Sequence, residues 1–168
     1  MTDIIELMLS DHRRIRQQSQ SFQELAGREN GAGADEALAA TWDGLAALIE
    51  LHLCAEQEIC WLPMCGSGPW EREQIAAAAA AAADIAEAIS AARLQPVGSW
   101  AWWRAVNAAL SACAAQLGRE ESILAEFARH ADRQARDRLG RQWLGFTAAL
   151  RLDQATAGAG FAAGRSFR

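Results

Sequence analysis

A chain of 168 residues has the length of one domain and enough volume for a real hydrophobic core. Half of it is apolar, alanine dominates, only 3 prolines occur and tyrosine is absent, which favours helices over a sheet rich in β-branched and aromatic residues. The net charge is -5 and every arginine-rich stretch is interrupted by Asp or Glu, so the basic face that a nucleic-acid partner requires is missing.

Apolar residues at helical spacing, Ile5, Met8, Leu9, His12, Ile15, Phe22 and Leu25, predict a first helix over about 3–26, with Asp3 as its N-cap. The segment Gly27 to Asp35 reads as a loop, and a second helix follows to about Cys60 with Leu38, Leu45, Leu48, Ile49, His52 and Ile59 on its inner side. Pro63, Gly66, Gly68 and Pro69 end it. A third helix, with Pro69 near its first turn, runs through the alanine stretch to about Arg93, where Leu94 to Gly98 stop it. Ser99 caps a fourth helix that carries Trp103, Val106, Leu110, Cys113, Leu117, Glu120, Leu124 and Phe127. That helix breaks near Ala131, and a fifth over about 133–152 displays Leu139, Trp143, Phe146 and Leu150. Residues 1–153 are thus expected to form an all-α, up-down-up-down four-helix bundle with an extra C-terminal helix, and 154–168 a disordered tail.

The four cysteines, Cys54, Cys60, Cys65 and Cys113, form no CxxC pair, which argues against structural zinc. Met1 to Ile5 has no basic segment leading into an apolar run, so no secretory signal is expected, and a cytoplasmic location with reduced thiols is the default. The longest apolar run, Ile75 to Ala83, is short and alanine-rich for a membrane span.

The chemistry-bearing residues sit on three helices. His52 and Glu56 are one turn apart, so both project from one face as two ligands of one metal must, and Gln116 and Glu120 repeat that spacing. His12 lies alone on the buried stripe of the first helix, where an unpaired imidazole is costly. The same residues also suit a metal-free polar network in which the histidines bond to the two glutamates.

In Asp11-His12-Arg13-Arg14, in His52 to Pro63 and in Gln116 to Glu121, the chain resembles the hemerythrin-like, or HHE cation-binding, family over about residues 2–127. The resemblance implies His12, His52, Glu56 and Glu120 as iron ligands, and a protein that handles O2, peroxide or nitric oxide. The departures from the family pattern are specific. Gln116 stands where a ligand histidine is implied, and the third helix has no histidine; counting back from the turn, the expected position falls at Ala81 or Ala82, with Gln74 too near the turn. One iron is therefore expected rather than two, in the manner of a mononuclear oxidase or oxygenase. The alternative is a metal-free binding or regulatory module. The alanines at 76–83 either leave a cavity for a small molecule beside the site or let the helices pack closer.

Overall fold

The computed structural model describes residues 2–28, 33–61 and 72–163. The middle of the glycine loop, the turn containing Pro63, Cys65 and Pro69, and 164–168 of the expected tail lie outside the described residues. Five α-helices account for most of the rest: α1 (Ile4–Ala26), α2 (Ala34–Ala55), α3 (Arg72–Arg93), α4 (Trp100–His130) and α5 (Arg133–Ala163). No strand occurs among the described residues. Two features depart from the periodicity. The chain beyond α2 continues as a π-helical segment, Glu56–Trp61, and α5 runs on to Ala163 rather than stopping near 152.

Local chemistry sets the helix ends. Asp3 accepts a hydrogen bond from the Ile5 N–H at 2.9 Å, and Ser99 Oγ accepts from the Trp102 N–H at 3.2 Å, satisfying donors that the first turn leaves free. α2 starts from Gly33, whose φ of 92° lies in the left-handed region that only glycine enters cheaply.

The buried side chains form two apolar clusters. One gathers Phe22, Trp42, Ile49, Ile85 and Trp102, whose aromatic rings meet at centroid distances of 5.8–6.3 Å. The other gathers Met8, Cys60, Trp61, Phe127 and Trp143. Between Met8 and Ile15 on α1, between Ile49 and Ala55 on α2, and between Leu117 and Leu124 on α4, the buried stripe is interrupted by His12, His52 and Glu120 respectively. A polar layer therefore separates two apolar ones.

The stretches Ala34–Trp61 and Glu73–Arg93 are long and apolar enough to cross a membrane by length and composition. Counting whole helices rather than the apolar run alone brings the second of these in. A core helix passes the same test, and the first is one, with half of its apolar window buried inside the fold.

α5 packs against α1, α2 and the π segment, and its approach to α1 is close. A Cβ on Gly140 would overlap the backbone carbonyl oxygen of Thr2, whereas one on Gly145 would meet nothing within 4 Å. Gly140→Ala is accordingly expected to destabilise the fold by about 3 kcal/mol, the upper end of overpacking, outweighing the roughly 1 kcal/mol of helix propensity that alanine brings. Gly145→Ala has no such opposition and should raise stability by up to about 1 kcal/mol. Thermal or urea unfolding of the two variants checks the pair, and a neutral Gly140→Ala would show that α5 does not need this approach.

Candidate metal centre

His12, His52 and Glu120 come together in the polar layer from α1, α2 and α4. One ligand atom from each lies within 4.8 Å of the other two, and all three residues are buried. His12 Nε2 is 3.0 Å and His52 Nε2 is 3.4 Å from the same oxygen, Glu120 Oε2. The two rings stand edge to face at a centroid distance of 4.9 Å. The distance from His12 to Glu120 is that of a hydrogen bond, yet Nε2 has no partner at hydrogen-bonding angles, and Glu120 Oε1 has none at all.

Glu56 is wholly buried beside this group but outside the tight trio. Its backbone N–H reaches back to the carbonyls of His52 and Leu53, and the π-helical turn that begins there directs Glu56, Cys60 and Trp61 inward together. π-turns inside helices recur at functional sites because they re-aim side chains that a regular helix would rotate away. Burial, reinforced by the charge of Glu120, pushes the Glu56 carboxyl well above the ordinary carboxylate range. The Trp61 indole is near enough to oppose that shift, but neither Glu56 oxygen makes a hydrogen bond of normal geometry. Burial also pushes Glu120 upward, but the bonds and charges of His12 and His52 override it and hold the carboxyl well below its ordinary value.

Three surrounding groups were not singled out from the sequence. Glu121 Oε1 lies 3.2 Å from His12 Nδ1 and is itself bound by Arg16, which lowers the Glu121 carboxyl. An ionised carboxylate only accepts, so Nδ1 donates to Glu121. This carboxylate-histidine arrangement is the one that fixes ligand histidines in metal sites. The clue in the sequence was the pair Glu120-Glu121, of which only one member can face the core, with Arg16 one turn after His12. Trp143 of α5 meets the His52 ring edge to face at 5.5 Å and closes that side; only the tertiary packing of α5 reveals it.

Gln116 is buried, and its Oε1 accepts a hydrogen bond from Arg119 at 2.8 Å. It does not join the trio but lines a cavity of about 280 Å³ together with Glu120, Ala77, Ala78 and Gln74. Gln74, close to the turn, lines that same cavity. Ala82 lines a second cavity, with Leu53, Cys54 and Trp61, and packs against both apolar clusters, at the level of the polar layer. Of the described thiols, Cys54 is exposed, Cys60 packs on Met8 at 3.7 Å, and burial pushes Cys113 up to about 12.

Comparisons with family models, with curated proteins and with solved structures find no match. His12, His52 and Glu120, with ligand atoms all within 4.8 Å of one another, could hold a metal ion. An ion with bonds of about 2.1 Å spaces neighbouring ligand atoms roughly 3–3.4 Å apart. The two contacts to Glu120 Oε2 fall at those separations, 3.0 and 3.4 Å. Two carboxylates and two neutral imidazoles balance two positive charges, and the set of nitrogen and oxygen donors suits iron, manganese or zinc.

A group whose folded value is raised contributes stability below its unfolded value and loses it as pH rises. In chelator-treated protein, Glu56→Gln should therefore be more stable than the parent. The difference should be small near pH 5 and grow by up to about 1.4 kcal/mol per pH unit as pH rises towards 8. Glu120, shifted the other way, is common to both proteins and largely cancels. Urea unfolding at several pH values measures the difference, and a pH-independent one would mean that Glu56 is not a buried, uncompensated carboxylate.

Proposed function

We propose that this chain is a hemerythrin-like four-helix bundle, with α1 to α4 running up and down and α5 laid along one side, that holds a single iron ion. Its ligands in this reading are His12, His52, Glu56 and Glu120. The observation that carries the reading is Glu56: a wholly buried carboxylate with both oxygens unpartnered, next to a second buried carboxylate. Leaving such a charge uncompensated costs several kcal/mol. A cation between Glu56, Glu120 and the two histidines removes that cost and gives the free Glu120 Oε1 and His12 Nε2 a common target.

An iron ion held by these residues would supply redox chemistry toward a small oxidant such as O2, peroxide or nitric oxide. The chain's own residues set the conditions. Glu121 and Arg16 hold the His12 ring, Trp143 and the two apolar clusters exclude bulk water, and the cavity borders the centre at Glu120. Gln116 supplies no strong ligand for a second ion, because its amide oxygen is engaged by Arg119.

A second reading, a metal-free regulatory module, is favoured by the direct approach of both histidines to Glu120. It leaves Glu56 unaccounted for. Elemental analysis of protein purified from iron-supplemented cells separates the two. One iron per chain is expected, falling at least tenfold in His52→Ala and in Glu56→Gln, while a metal-free parent would leave the module reading standing. Two irons per chain would overturn the single-ion assignment instead.

The same ligand count says what a second ion would need. Gln116→His combined with Ala78→His places two imidazoles across the cavity where only amide and methyl groups now face each other. The double variant should bind close to two irons per chain, and a stoichiometry unchanged at one would show that a second ion needs more than nitrogen ligands on this side.

A further inference from the structure

We infer that the cavity between α3 and α4 is a binding site for a small organic carboxylate, seated with its acid group on Arg119 and its apolar body against Ala77, Ala78 and Ile123. This builds on the single-ion reading above, because the floor of the cavity is the ligand Glu120. That residue is 1% exposed and lines the cavity.

The walls define the chemistry. Ala77, Ala78 and Ile123 supply their apolar surface, and Gln74, Gln116, Arg119, Glu120 and Ser122 the polar groups. Arg119 is exposed at the mouth, and among the described residues it donates to the neutral Gln116. Among the described residues, no carboxylate lies within ion-pair distance of Arg119, unlike Arg16, Arg93 and Arg129. In a chain of net charge -5, a guanidinium at a cavity mouth with no acid partner is an anion receptor, and its planar fork matches a carboxylate. A cavity of about 150 Å³ admits benzene, so one of about 280 Å³ takes a molecule of roughly ten non-hydrogen atoms. The alanines of α3 make that room: a helix with longer side chains at 77 and 78 would fill the space.

Phenylacetate, with an acid at one end and a flat apolar body, is a probe of the right size, and phenylacetamide is its uncharged isostere. Both are titrated by calorimetry into the full-length protein, with iron content measured on the same sample. Phenylacetate is expected to bind, Arg119→Gln to weaken it by about 10- to 100-fold, the range for one charge-assisted contact, and phenylacetamide to bind more weakly and without regard to Arg119. Ala77→Phe, on the solvent-facing side of α3, should abolish binding of both without changing iron content. Acid and amide binding alike, or acid binding that survives Arg119→Gln, overturns the inference. Iron-loaded protein that binds neither probe overturns it while the metal reading stands. Arg119-dependent binding by a chain that holds no iron keeps the cavity assignment and removes the metal reading.

Discussion

The arrangement of this molecule turns on two carboxylates, Glu56 and Glu120, buried side by side in the middle of an alanine-rich helical core. Carboxylates in such a place ionise only if something answers their charge, and the helices supply a partial answer. His12 and His52 converge on Glu120 from two directions, drawing its carboxyl down, while Glu56 keeps no partner and is driven up. The two acids thus behave oppositely although they lie in the same layer, because one is compensated and the other is not. An apolar pair at these positions would pack as well and fold more stably. Retaining the acids is the kind of stability sacrificed at a working site.

Holding such a layer together requires a frame that does not yield. Tilted and edge-on contacts among Phe22, Trp42, Trp102 and Trp103 form a rigid end on one side, and Met8, Trp61, Phe127 and Trp143 form the other. α5 contributes to both stability and site, since the close passage of Gly140 over Thr2 holds it against the start of α1 and so seats Trp143 on the His52 ring. A helix that reads from the sequence as an appendage is a wall of the centre.

How much of this was legible follows from the range of each interaction. Helices, their caps at Asp3 and Ser99 and the inward faces of His12, His52 and Glu120 are encoded locally, in spacings of three and four and in single capping side chains, so they can be read along the chain. The π-helical turn at Glu56–Trp61 has no such local mark, because its residues also suit a regular helix. Arg16 and Glu121 look like solvated charges until α1 and α4 are brought side by side. The cavity lined by Gln74 and Ala78 depends on how α3 and α4 pack together, which no local pattern along the chain records. Extension of α5 to Ala163 lies at the other limit, where glycine and alanine carry almost no pattern.

The centre is lopsided, and the lopsidedness has a physical consequence. α1, α2 and α4 each bring a buried acid or imidazole to the layer, whereas α3 brings alanine. The cavity lies on that side, lined by Ala77, Ala78, Arg119 and Glu120. On the opposite side the His12 ring is held through Glu121 and Arg16, and Trp143 covers His52. The polar layer is thus braced on one face by charged and aromatic side chains and bordered on the other by a cavity, because alanines on α3 leave there the space that larger side chains take up elsewhere.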